Sequence, residues 1–504
     1  MGRARRILLN TLWLLFSQVL TTLAALWVTG YVASELGETG FGELNGADAF
    51  VMLFSPIVFA GIQVILIRDI VKANNSSELS AAEKLDIARR ALGDAIVVRL
   101  LIAPVFIGLV WVLAPALIPQ IRHVLIWLAL LNWFLNMYQQ TFTIPMEASE
   151  RMHFLAVGSL IAQFVGMALS VVAVVFIMGP EGVLGARSAG MASSFFYLIS
   201  VISLAFYRPK FDVDFKRYWR LIRQGFPLAI YYLMGLVLLE LDKTMLTYMA
   251  SLTEDDLLVR WLPWVRSGEE SGLGLDDVGL YSSATILAYK FEAVVIAFQT
   301  AVVPALVATW KEGKDAYEKL LGRSLRFVIV LGVPIAVGTD FIARDIMGLI
   351  YEDQYLVASR ALAIIIWFVP FQFLNRVLAS SLAATEREKW IPISVALAVI
   401  TNALLNLVLI PLWGYEGSGV ATVISEALLV GMYLVIQRSH LVGLVRQLKL
   451  VRVTLVTGVL VGLCWVLQGQ HFLVIIAAAV VVYGAAVLGL KCIDREELRA
   501  ILRR

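Results

Sequence analysis

The chain has 504 residues, of which 60% are hydrophobic and only 16% charged, with a mean hydropathy of +0.83. Soluble domains carry about 25% charged residues, so this composition cannot cover the surface of a soluble enzyme, a disordered scaffold or a nucleic-acid binder. Lys and Arg total 41 against 38 Asp and Glu, so the information lies in where the charges sit, and the expectation is an all-α integral membrane protein.

A membrane-spanning helix needs about 20 mainly apolar residues. Fourteen such runs follow one another, at about 7–33, 46–67, 91–115, 124–147, 154–178, 184–207, 225–250, 279–310, 324–349, 358–384, 390–412, 417–437, 453–468 and 472–490. The first follows MGRARR, which looks like the start of a signal peptide, but its apolar stretch is too long for one and reads as a retained helix. Its polar positions are Asn10 and Gln18. The second run holds Asp48, is interrupted by Pro56 and Gly61, and ends near Arg68. The third holds Arg99. After the sixth comes RPKFDVDFKRYWRLIRQG at 208–225, with six basic residues, read as an interfacial segment on the anionic inner leaflet. The seventh holds Glu240, Asp242 and Lys243, and a long outer loop at about 251–278 follows with seven acidic residues, Trp261 and Trp264. Lys290 lies near the middle of the eighth run, Pro334 in the ninth, Pro370 and Arg376 in the tenth, and Glu426 in the twelfth. Cys464 and Cys492 and four scattered histidines have no metal-ligand spacing.

Charge alternation tests the count, because cytoplasmic loops accumulate Lys and Arg. With the N-terminus inside, 31 of the 41 basic residues fall in or at the mouths of cytoplasmic segments. Six fall on the outer side (Arg122, Arg187, Arg260, Arg266, Arg344 and Arg360) and four within the runs. Both termini are therefore expected in the cytoplasm, in the inner cell membrane.

The chain also repeats. Gly182, Gly185, Ala189 and Ser193 open the sixth run, and Gly414, Gly417, Ala421 and Ser425 open the twelfth with the same spacing, 232 residues later. Gly40-Phe41-Gly42 before the second run pairs with Gly279-Leu280-Tyr281 before the eighth, 239 residues later. Both echoes link runs six apart, which predicts two pseudo-symmetric six-helix lobes in the same orientation. The expected organisation is a lobe at 1–207, a basic linker at 208–224, a second lobe at 225–437, and two further helices with a tail at 438–504. Helix packing is the simplest role for the repeated small residues.

The order of LGETGFGELNGADAF, a helix ending in Arg68, DVGLYSSA at 277–284, Pro304, LAATEREKW at 382–390 and PLWGYEGSGVA at 411–421 resembles the oligosaccharide (O-antigen, Wzx-type) flippases of polysaccharide biosynthesis. That resemblance implies the fold of the multidrug/oligosaccharidyl-lipid/polysaccharide exporter superfamily, two lobes around a central cavity. It implies a polyprenyl-pyrophosphate-linked oligosaccharide as cargo, moved to the outer leaflet for O-antigen or lipopolysaccharide assembly beside polysaccharide-assembly proteins. Fourteen helices are also similar to lipid II flippases, whose two extra helices form a groove for the lipid tail. The long outer loop departs from this pattern.

Flipping needs a wet cavity with fixed cations for the pyrophosphate. An intramembrane cation costs about 2.5–3.5 kcal/mol and therefore needs a reason. Lys290, Arg376, Arg99 and Arg68 are the candidates. Their simpler roles are a pair with an acid such as Glu292 for Lys290, snorkelling for Arg376 and Arg99, and interfacial anchoring for Arg68. Glu240, Asp242, Asp48 and Glu426 are candidates for H+ or Na+ coupling, with a Glu240–Lys243 pair as the structural alternative. No cofactor is expected. Two other functions stand beside the flippase: a cation-coupled multidrug exporter of the same superfamily, and a polytopic polymerase or ligase. The second wants a basic external loop, which the acidic 251–278 segment is not.

Overall fold

The computed structural model describes residues 3–56, 61–176 and 178–493, with side chains from Thr21 onward except at positions 231, 293, 297, 300, 301, 441, 442, 445 and 446. Asn10, Gln18 and the tail from 494 thus lie outside the described side chains. The described chain is mainly helical, and each predicted run falls on one helix or a broken pair.

Runs one and two share α1 (Arg3–Phe54), which turns at Gly37, and α2 (Ile62–Asn75). Runs three to seven are α3 (Ala81–Leu117), α4 (His123–Ala148), α5 (Met152–Val175), α6 (Gly179–Ala205) and α7 (Phe215–Ala250). The eighth is broken into α8 (Leu275–Tyr289) and α9 (Glu292–Glu312), and the ninth is α10 (Lys314–Phe341). A short amphipathic α11 (Ala343–Ile350) precedes the tenth, which is α12 (Ser359–Ile365) and α13 (Phe368–Ala384). Runs eleven and twelve form α14 (Trp390–Ile436), turned at Gly414. The amphipathic α15 (Leu441–Leu448) leads to α16 (Leu450–Val466) and α17 (Phe472–Gly489). In hydrocarbon every backbone amide needs an internal partner, and helices supply one without an edge.

Two compact units divide the chain, Met1–Gly279 and Leu280–Arg504. In the first, α1 lies against α4, α5, α6 and α7, and α5 runs along α6. In the second, α10 is central, against α13, α15 and α16, while α9 and α14 both lie on α13.

The duplication read from the sequence is written into the backbone. Gly37 and Gly272 have φ near +69°, and Gly179 and Gly414 have φ of 63° and 58°, each pair 235 residues apart. These are left-handed turns that a side chain would strain. The motif serines repeat as well: Ser193 donates to the Ala189 carbonyl at 2.9 Å, and Ser425 to the Ala421 carbonyl at 2.7 Å.

The basic segment after α6 does not lie free. Lys210 accepts no slack: its amide bonds to the Arg89 carbonyl, its Nζ lies 2.7 Å from Asp86, and Arg217 reaches Asp94 at 2.6 Å. Two of the cations expected to face lipid are thus committed to acids of α3. The contact is close because Gly93 has no side chain, since a Cβ there would stand 2.1 Å from the Lys210 carbonyl oxygen. The long outer loop folds back in the same way: Gly268 donates to the Leu252 carbonyl at 2.8 Å, beneath the short helix Leu257–Trp261.

At the other end of the first unit, the two glycine motifs of the second echo meet. A Cβ on Gly42 would fall on the Leu275 carbonyl, and one on Gly279 would stand 2.1 Å from the Glu38 carbonyl. Around this crossing, burial first, then the neighbouring Asp276 and Glu38, push the Asp277 carboxyl up to about 6, against a hydrogen bond from the Gly274 amide. Nearby Arg122 pairs with both Glu43 and Glu181, and the Glu43 hydrogen bond holds its guanidinium above the usual range.

Gly93→Ala should lower the thermal melting temperature in detergent, at a cost of about 1–3 kcal/mol for overpacking. Gly108→Ala, on the same helix with nothing near its Cβ position, should leave melting unchanged or raise it. A raised folded-state carboxyl favours the protonated protein, so the stability tied to Asp277 is present at low pH and lost as pH rises through about 6. The melting-temperature advantage of Asp277→Asn over wild type should therefore widen between pH 4.5 and pH 7, whereas a constant difference would dismiss this charge as a determinant.

Candidate functional site

The predicted cations and acids divide between the two units. In the first, Arg99 is almost wholly buried and donates from Nη1 to the Met137 carbonyl at 2.6 Å and to Thr141 on α4. Arg68 is exposed on α2, 3.5 Å from Asp69. Asp48 accepts a hydrogen bond from the Trp133 indole at 3.2 Å. Glu240 and Lys243, one turn apart on α7, form a buried ion pair at 2.7 Å, and Asp242 beside them is fully buried. Arg99, Asp48, Glu240 and Lys243 are thus each met by a hydrogen bond or an opposite charge, as charges in a low-dielectric slab must be.

The second unit concentrates the remaining ones. Its apolar eighth run breaks at Lys290 and Phe291, where helical bonding gives way to short turns, Lys290 to Leu287 and Phe291 to Ala288. The Lys290 side chain is exposed at this break. Glu292 then starts α9 and pairs with Arg376 of α13. The adjacent Asn375 donates from Nδ2 to the Glu426 carboxylate of α14 at 2.6 Å and to its carbonyl at 3.1 Å. Thus Glu292, Asn375, Arg376 and Glu426 from three helices form one polar cluster, with Lys290 two residues before it in the chain. Glu292, weighed from the sequence as a partner for Lys290, pairs with Arg376 of a neighbouring helix. Residues two apart on a helix face different ways, while a neighbouring helix can present an arginine to either.

An apolar groove starts from the same break. It has a volume of about 470 Å3 and is lined by Phe291 together with Pro334 and Gly338 of α10, Leu460 of α16, and Ile475 and Tyr483 of α17. Tyr483 fixes one wall by donating to the Val330 carbonyl at 2.9 Å. Apart from Pro334, these lining residues carry no mark in the sequence, because scattered Leu, Ile and Gly in spanning helices have no signature until the helices are brought together. The same is true of the buried ladder on α14, in which Ser418 donates to Asn406 at 2.9 Å and Asn406 to Asn402 at 3.0 Å.

Chemically, the arrangement suits an amphiphile. A fixed lysine and a guanidinium already paired with a carboxylate can receive and exchange phosphate oxygens. The groove beginning at the next residue can receive a hydrocarbon chain.

Residues 7–310, more than half of the chain, match the family of polysaccharide biosynthesis proteins, and residues 279–487 match the lipid II flippase MurJ family. The probable low-salt glycan biosynthesis flippase Agl15 of Haloferax volcanii is 26% identical over 155 residues, 30% of this chain and 32% of that protein. The chain therefore aligns with about a third of the length of this curated relative. The solved structure of a lipid II flippase MurJ in an inward closed conformation superposes with a TM-score of 0.71 at 13% identity, covering 99% of this chain and 100% of its own. An inward-facing multidrug resistance MATE family transporter of the MOP superfamily reaches 0.67 at 12% identity, over 84% of this chain and 96% of its own. At such identities these two share its fold.

The Glu292–Arg376 pair predicts an asymmetric mutational pattern. Arg376→Ala, which strands a carboxylate, should destabilise more than the double variant with Glu292→Gln. Melting of the four proteins of the cycle should give a coupling of about 1 kcal/mol or more; additive effects would show that the pair carries no energy.

Proposed function

The chain belongs to the polysaccharide biosynthesis protein family, and we propose that it is a flippase for a lipid-linked oligosaccharide. It is a multi-pass membrane transporter of a flippase fold and not an enzyme. The observation that carries the reading is the break at Lys290 and Phe291, which puts an accessible cation and the mouth of an apolar groove on consecutive residues. A polyprenyl pyrophosphate has the complementary form, an anionic headgroup joined directly to a long apolar chain. Arg376 lies within the same cluster, and release from Glu292 would make its planar fork available to a second phosphate oxygen.

In this reading the glycan moves from the cytoplasmic to the outer leaflet of the inner membrane by alternating access. Both termini are in the cytoplasm, and the product feeds a cell-surface polysaccharide such as O-antigen, handed to polysaccharide-assembly proteins. The flippase relatives support a lipid-linked glycan as cargo. Of the acids weighed for coupling, Glu426 is the one bound to the headgroup cluster, through Asn375, and it is the residue we assign to H+ or Na+ linkage. Membrane potential supplies about 2.3 kcal/mol per charge per 100 mV to an anionic cargo moving outward.

The test is flipping of a polyprenyl-pyrophosphate oligosaccharide in proteoliposomes. Lys290→Ala and Arg376→Ala should each slow movement roughly tenfold to a hundredfold, the value of one charge-assisted hydrogen bond. Gly338→Leu points a side chain into open groove space and should slow polyprenyl cargo while leaving the protein folded. Full-rate flipping by all three would remove this site, and export of a cationic drug in place of the glycan would move the assignment to the multidrug exporter.

A further inference from the structure

The first unit has a half-open cavity of about 210 Å3 between α1, α4, α5 and α6. It exists because α5 and α6 touch backbone to backbone: a Cβ on Gly190 would stand 2.4 Å from the Ala162 carbonyl oxygen and 2.7 Å from the Gly166 amide nitrogen. One turn before that crossing stands Arg187, eight residues into α6 and so about 12 Å along the helix from its start at Gly179. Hydropathy had placed it at the outer end of the sixth run. The turn at Gly179 starts the helix earlier, so Arg187 stands about two turns inside α6.

The polar lining is Thr29, Asn132, Gln163, Ser170 and Arg187, and it contains no Asp or Glu. Ser170 is spent on the Gly166 carbonyl at 2.7 Å. Among the described residues, Thr29, Asn132, Gln163 and Arg187 have no hydrogen-bond or ion-pair partner for their side chains; Gln163 is exposed and the other three are partly buried. So one cation and three neutral groups, each able to donate a hydrogen bond, converge from four helices on one small space, with no carboxylate among the described residues that line it.

We propose that this cavity binds a small inorganic anion of the halide class, held by the Arg187 guanidinium and by the amides of Asn132 and Gln163. A cation entering the cavity would meet Arg187, and an apolar guest would leave every donor unmet. An anion supplies the counter-charge that a membrane-embedded guanidinium requires, and the volume accommodates a halide with a few waters. The site stands whether or not the cargo is a lipid-linked glycan.

The experiment is thermal melting of the purified full-length protein, titrated with sodium chloride or bromide against sodium gluconate at constant ionic strength. Wild type should show a saturable rise in melting temperature with either halide. Arg187→Gln should weaken the apparent affinity roughly tenfold or more, the loss of one charged donor, while Arg187→Lys should keep a weaker response. Should Arg187→Gln fail to fold, the Asn132→Ala/Gln163→Ala variant serves in its place and should also show reduced affinity. No halide-specific rise in wild type, or one unchanged in these variants, overturns the site. A response to inorganic phosphate without one to halide also overturns it and assigns the cavity to a phosphate-bearing headgroup.

Discussion

A charge inside hydrocarbon has to be answered within a few ångströms, and most of this structure is arranged around that requirement. Arg99 is answered by a backbone carbonyl and a threonine, Lys243 by Glu240, Arg376 by Glu292, and Glu426 by Asn375. Each answer comes from the same compact unit as the group it serves. The pairs between helices tie α3 to α4, α9 to α13 and α13 to α14, so the polar groups double as clamps in a medium where apolar contact alone gives little preference for protein over lipid. Arg187 is different: its balancing charge is not among the described residues around it, and that difference marks its cavity out.

Close backbone approach is the second organising feature. Gly42 against Leu275, Gly93 against Lys210 and Gly190 against Ala162 are all places where a methyl group would collide with main chain. Such crossings let helices exchange dispersion contacts that bulky side chains would prevent. The left-handed glycines do another job. They reverse or tilt the chain between helices, and they do so 235 residues apart in both halves. Duplication thus survives most clearly where only one residue type is tolerated.

A flippase must hold a molecule whose two ends prefer opposite solvents. In the proposed function the break of the eighth span at Lys290 and Phe291 would address both ends at one point, because the lysine is exposed while its neighbour lines the groove of α10, α16 and α17. The appended helices therefore have a part in the proposed site and are not merely extra spans.

Composition and hydropathy sufficed for the membrane class and for about fourteen apolar runs, because the bilayer imposes one length and one polarity on every spanning segment. The small-residue motifs exposed the repeat, although at offsets of 232 and 239, since sequence matching aligned packing glycines and the turns belong to Gly37, Gly179, Gly272 and Gly414. Deep ionisable residues were visible too, and the Glu240–Lys243 pair follows from helical spacing alone. Which charge meets which across helices was decided only by tertiary structure. Glu292 chose Arg376, Arg99 chose a carbonyl on α4, and Arg187 came to line a cavity, because a partner on another helix leaves no trace in local spacing.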